Sequence, residues 1–307
     1  MVLMSGNVSA ELRVEAHRRG AHAVFEKPFS LDALEDLLQP CAGEGDGEVV
    51  TVPTLDEIIA SADLNPHFQP IIDLRRGGVF AFESLARLAT RSPFSNPELL
   101  FDYATQKLRV ADLELACMKS TFRTAPAVSA GRLLFMNLHP AALSACDRLC
   151  DLLLQQSAAS GFPLRQVVLE LTEQHQLPDD VQTHESVSRM RALGVRFAFD
   201  DVGMAYSHLP LIDRIRPEFL KISQHFGTAF ESDPSRSKLV ANLFSLARDF
   251  DASLILEGIE SAETDAAARA LGIPLGQGYL YSRPLPSAAA AAYASRAAVT
   301  TAASLRD

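Results

Sequence analysis

The chain has 307 residues, 48% of them hydrophobic and 21% charged, which places it among globular proteins with room for a sizeable core and away from disordered chains. Its 28 Lys and Arg against 38 Asp and Glu give a net charge of −10, which excludes general nucleic-acid binding through a basic face. An anionic ligand would need a local counter-charge, such as a metal. No apolar run is long enough to span a bilayer, and the start MVLMSGNVSAELR lacks the basic and apolar regions of a secretory signal. No membrane contact is expected, and the chain is read as cytoplasmic.

Residues 1–40 read as an apolar strand (VLMSG), a helix from about Ser9 to Arg19, a short strand (HAVFEKPF) and a helix (LDALEDLLQ). Residues 41–54 follow as a linker rich in Gly and acid, without periodicity. The long region 55–288 then alternates strand-like runs (HFQPIIDL, GVFAFESL, LLFMNL, QVVLELTE, VRFAFDD, FLKIS, SLILEGI, GQGYLYS) with helical stretches at 97–109, 112–124, 180–193, 208–215 and 235–250. Residues 289–307 are Ala-rich and read as a helix fraying into a loose tail. Alternation of strand and helix over this length predicts an α/β fold with a parallel sheet, and a (β/α)8 barrel in preference to a doubly wound sheet. No GxGxxG or GxxxxGK[ST] follows any strand, which weakens the dinucleotide-fold and P-loop alternatives. Of the four cysteines, only Cys146 and Cys150 stand close, at a spacing that suits one helix face; without CxxC pairs or nearby histidines they read as buried free thiols and not as a zinc site.

Polar residues terminate the apolar runs: Glu83 after VFAF, Asn137 after LLFM, Glu170 in VVLEL, Asp200 and Asp201 after VRFAF, Lys221 after EFL, Glu257 after LIL, and Gln277 opening GQGYLY. A barrel brings the C-terminal ends of its strands to one face, so five carboxylates, two amides and one lysine would share one mouth. A single Glu or Asp at a strand end is more often a helix cap or a partner in a surface ion pair; the joint recurrence of these residues at strand ends is the signal. Buried carboxylates crowded together need cations, and one lysine cannot neutralise five. Oxygen-only donors suit Mg²⁺ or Mn²⁺. A pair of ions bridged by Asp200 and Asp201, about 3.5–4 Å apart, is the usual device for in-line attack of water on a phosphodiester.

The ordered motifs FQPIIDL…FAFESLARL with ESL at 83–85, NLHP at 137–140, ELTE at 170–173, DDVGMAYSHL at 200–209, FLKIS at 219–223, EGIE at 257–260 and GQGY at 276–279 resemble the EAL-domain cyclic di-GMP phosphodiesterases. The resemblance implies a modified, TIM-like (β/α)8 barrel with one antiparallel strand. It also implies hydrolysis of cyclic di-GMP to linear pGpG in bacterial second-messenger signal transduction. Glu83, Asn137, Glu170, Asp200, Asp201 and Glu257 would be metal ligands. Lys221 would orient or deprotonate the attacking water, and Gln277 would hold that environment together with Glu83 and Glu257. Gln69 and Arg87 would contact substrate, Glu173 and Glu260 would brace the loop after Asp201, and a homodimer would form through the barrel. Ser84 replaces the usual Ala, Ala205 a usual Gly, and Ser223 a usual Asp; the last two predict weaker loop ordering and metal affinity. The alternative is a catalytically weak or inactive barrel serving as a cyclic di-GMP receptor or protein-interaction module. An enolase-type barrel shares the carboxylates and lysine but not the ordered motifs.

Residues 1–40 resemble the last third of a response-regulator receiver domain, with Ser5 at the switch hydroxyl and Lys27-Pro28 at the lysine and proline of the last strand. The phosphoacceptor aspartate of a receiver would lie upstream of residue 1, so this resemblance implies a fragment that cannot take phosphate.

Overall fold

The computed structural model describes residues 2–5, 23–26, 54–60, 64–88, 97–172, 179–203 and 209–304. The chain divides into two compact units, 1–52 and 53–307. In the first, β1 (Val2–Ser5) and β2 (Ala23–Glu26) pair in parallel, Val2 opposite Ala23 and Ser5 opposite Glu26. Ser5 ends β1. The two expected helices and Lys27 lie outside the described residues.

The second unit begins with α1 (Leu55–Ala60) and closes an eight-stranded barrel. The strands are β3 (His67–Asp73), β4 (Gly78–Leu85), β5 (Leu133–Leu138), β6 (Val167–Thr172), β7 (Arg196–Val202), β8 (Phe219–Ile222), β9 (Ser253–Leu256) and β10 (Leu275–Gly276). They neighbour one another in chain order, and β10 returns to β3 to complete the ring. From β4 to β10 each pairing is parallel, whereas β3 runs antiparallel to both its barrel neighbours. The helices on the outside include α2 (Pro97–Gln106), α3 (Val110–Val128), α4 (Cys146–Ser160), α5 (Val181–Ala192), α6 (Leu209–Ile215), the one-turn α7 (Gln224–Gly227), α8 (Pro234–Asp249) and α9 (Ala262–Ala270). Each barrel strand is apolar on both faces because one face meets helices and the other fills the barrel. The outer face joins the larger core, and the inner face supplies a separate cluster of Ile71, Ala81, Phe135, Val168, Ala198, Phe219, Ile255 and Leu275, one residue from each strand.

One expectation differs from what is found. Of the run GQGYLYS only Gly276 lies in a strand, the two-residue β10, and the chain then turns, with Tyr281 N–H donating to Gly278 O at 3.2 Å. Gly278 is the reason: a Cβ there would lie 2.0 Å from Ile259 O, so the backbone of this segment packs directly on the segment after β9 and leaves no room for a ladder. The Ala-rich end starts as a helix, as its composition suggests, and that helix is seated on the barrel. A short strand, β11 (Leu285–Pro286), pairs with the mouth end of β3, and helix α10 (Ser287–Ser304) follows with Ala290 and Ala294 buried against the barrel and α3. Alanines one turn apart let the helix lie close to the sheet.

Candidate active site

The inner apolar layer explains the site. Side chains along a strand return to the same face every second residue. Two residues beyond Ala81, Phe135, Val168, Ala198, Phe219, Ile255 and Leu275 stand Glu83, Asn137, Glu170, Asp200, Lys221, Glu257 and Gln277. On the antiparallel β3 the corresponding step from Ile71 leads back to Gln69, whose register partner is Glu83. The layer above the apolar plug is therefore polar all the way round. Strand period and barrel closure bring together residues that lie far apart in the chain.

Lys221 is its centre. The ammonium is 1% exposed and lies 2.9 Å from Glu170 Oε1, 2.9 Å from Glu257 Oε1, 3.2 Å from Asp200 Oδ1 and 3.5 Å from Glu83 Oε2. Burial opposes its charge, but Asp200, Glu170, Glu257 and Glu83 outweigh that and hold its pKa well above the ordinary lysine range. The acids move the other way: burial pushes Glu257 up to about 8 and raises Asp200 and Glu170, with Lys221 only partly opposing it. Glu83 also accepts from Gln277 Nε2 at 2.6 Å.

Asp201 breaks strand alternation, which would send its side chain to the opposite face from Asp200. The β7–β8 register shifts between Phe199 and Val202, and Asp201 has φ +56°. This left-handed residue at an irregular strand end brings its carboxylate beside its neighbour's: oxygens of Asp200, Asp201 and Glu257 lie within 4.8 Å of one another. The Asp200 carboxylate is steadied by the Asp201 N–H at 2.9 Å.

The residues fit hard cations. Four carboxylates face one ammonium; Glu170 Oε1 is held by Lys221, but Glu170 Oε2 and Gln277 Oε1 are buried without a hydrogen bond to any described residue. Acceptors left over in a buried all-oxygen set are what Mg²⁺ or Mn²⁺ would use. Asn137 differs from the buried members in being exposed, but it lines the same cleft, of about 420 Å³, as Glu83, Asp200 and Asp201. Arg87 also lines this cleft, its Nη1 donating to Ala86 O at 2.7 Å. Gln69 donates from Nε2 to Ser282 O at 3.2 Å, which ties β3 to the segment after β10. Glu260 is exposed and outside the ring; Glu173 and Ala205 lie outside the described residues. Ser223 is buried and caps α7, its Oγ accepting from His225 N–H at 3.4 Å.

A buried acid in the cleft was not anticipated. Glu114 on α3 is 3% exposed, lines the cleft and accepts from His139 N–H at 3.2 Å; burial pushes its carboxyl up to about 8. Its sequence signal is faint, an acid within the helical stripe Val110, Leu113, Met118 and Phe122, all of which are buried. Ser84 and Thr121 also meet here, their hydroxyls 2.8 Å apart and buried.

The EAL domain family matches residues 54–284. Among curated proteins, the chain is 26% identical over 272 residues to the cyclic di-GMP phosphodiesterase RocR of Pseudomonas aeruginosa, covering 85% of this chain and 69% of that one. It is 28% identical over 240 residues to the probable cyclic di-GMP phosphodiesterase PdeB of Escherichia coli, covering 76% of this chain but 45% of that protein. The fold matches a standalone EAL protein from Vibrio cholerae in its cyclic di-GMP-bound form, with a TM-score of 0.64 and 23% identity over 73% of this chain and 93% of the other. The chain thus spans only part of the length of the curated relatives. The family match starts at residue 54, and nothing in it supports the receiver resemblance of residues 1–40.

Proposed function

The chain belongs to the EAL-domain family, and from that premise we propose that it is a metal-dependent phosphodiesterase that hydrolyses cyclic di-GMP to linear pGpG. The observation that carries the reading is the polar ring itself, four carboxylates around the buried Lys221 with oxygens to spare. Glu83, Asn137, Glu170, Asp200, Asp201 and Glu257 would hold two Mg²⁺ or Mn²⁺ ions. Bound there, such ions supply Lewis-acid polarisation of the phosphodiester and neutralise charge that develops in the transition state.

The chain's own residues supply the rest. Lys221, an ammonium anchored by four acids, can present N–H donors to an attacking water but has no lone pair to accept its proton while it stays charged. Its role in this reading is to orient the water, and the proton passes to a ring carboxylate. Gln277 fixes Glu83 with one amide end and turns the unused oxygen of the other inward. Arg87 on the cleft wall offers a planar fork to a phosphate. In the same reading the protein works in the cytoplasm and pairs as a homodimer; among the described residues no helix is long and apolar enough to cross a membrane.

The test is incubation of the 307-residue chain with cyclic di-GMP and Mg²⁺ or Mn²⁺, beside Glu83→Ala, with the nucleotides resolved by chromatography. Linear pGpG from the parent alone supports the reading. No product, with tight binding of cyclic di-GMP, would instead make the barrel a receptor.

A further inference from the structure

The described thiols are unevenly placed. Cys146 is the first residue of α4 and Cys150 follows one turn later, both outside the active-site cleft; their Sγ atoms are 3.7 Å apart, and each residue is 7% exposed. Cys117 stands apart on α3, where it lines the cleft. Cys146 Sγ also lies 3.9 Å from Ser186 O of α5, and the Asp147–Arg189 ion pair of 2.6 Å runs between the same two helices.

This pair is badly placed for a disulfide. Residues four apart on a helix hold their Cβ atoms about 5–6 Å apart, beyond the about 3.5–4.5 Å that a disulfide needs. Burial also pushes the Cys150 thiol up to about 11, so at neutral pH it is a thiol and not the nucleophilic thiolate that oxidants attack. An atom inserted between the sulfurs avoids the geometric obstacle, and where the inserted centre carries an oxide the thiol protons leave with that oxygen. Two bonds of about 2.3 Å at an angle near 100–110° span about 3.5–3.8 Å, which the native separation already provides.

We propose that Cys146 and Cys150 form a two-thiol site for a trivalent organoarsenic centre, whose third bond is to carbon and which therefore needs only two sulfur donors. With an organoarsenic(III) oxide as co-reactant the step balances: two As–S bonds form, the As=O bond breaks, and both thiol protons leave with its oxygen as water. Arsenic stays trivalent throughout, and no oxidant is needed.

The probe is one equivalent of phenylarsine oxide added to the folded full-length chain, followed by intact-mass spectrometry and thermal unfolding. The parent and Cys117→Ala gain one phenylarsenic per chain and a higher melting temperature, and an excess of a small dithiol reverses both while a monothiol does not. Cys146→Ala and Cys150→Ala keep the seam apolar and gain neither. An adduct that survives in those two variants, or its absence from the parent, overturns the assignment. A melting temperature for either variant close to the parent's shows that lost binding is not lost folding.

Discussion

Lys221 carries one positive charge among four carboxylates, and its burial is sustained only by them. Lys221→Met keeps most of the volume but leaves those acids uncompensated, a loss of about 3–5 kcal/mol when one side of a buried ion cluster is removed. Urea unfolding should show that loss in chelator, and a smaller one in millimolar Mg²⁺ if ions take up the charge. Glu114 makes a pH prediction. Its pKa is about 8 when folded and near 4.5 when unfolded, so as pH rises from 4.5 to 8 the unfolded chain releases a proton that the native one keeps. Native stability therefore falls across that window. Glu114→Gln, which retains an acceptor for His139 N–H, should melt with the parent near pH 4.5 and clearly above it at pH 8. The buried hydroxyls of Ser84 and Thr121 form a closed pair. Ser84→Ala or Thr121→Val alone orphans the other and should cost about 1–3 kcal/mol, whereas the double variant should lose less than the sum in chemical unfolding. The ring acids and Lys221 were legible in the sequence because each closes or follows an apolar run, and Gln277 because it opens one. Gln69 and Arg87 were found only through family resemblance, and Glu114 was missed because an acid on a helix ordinarily marks the wet face.

At the scale of elements, the apolar runs on β3 to β9 predict the barrel strands closely, since strands buried on both faces write themselves as continuous hydrophobic runs. GQGYLYS misleads for the same reason: it is apolar enough to read as a strand, but the contact of Gly278 with Ile259 is tertiary and leaves no local mark. At the other end composition suggests the helix but not its seat. The Ala repeat reads as low complexity, yet Ala290 and Ala294 are the small residues that let α10 seat on the sheet. Ala290→Asp should place an unpaired carboxylate in that seam and cost several kcal/mol, seen as a large fall in melting temperature, while Ala292→Asp on the exposed side should change little.

For the whole molecule, residues 53–307 own a continuous core and a closed ring of strands with no open barrel edge. A chain beginning at Pro53 should unfold cooperatively, with a melting temperature close to that of the full chain. Loss of the cooperative transition would show that the barrel depends on residues 1–52. The architecture was legible because alternation and length leave few ways to close a parallel sheet. The direction of β3 was not, since strand polarity leaves no trace in hydropathy and came only with the family.

The ring around Lys221 also bears on how the protein matures. A resident ammonium lets the acidic layer close during folding without any divalent ion, so the newly made barrel does not depend on metal to form. On the proposed function, loading would then be an exchange, in which carboxylates loosen their hold on the lysine as they take up an ion. Occupancy set by such a competition would follow the free metal concentration of the surroundings.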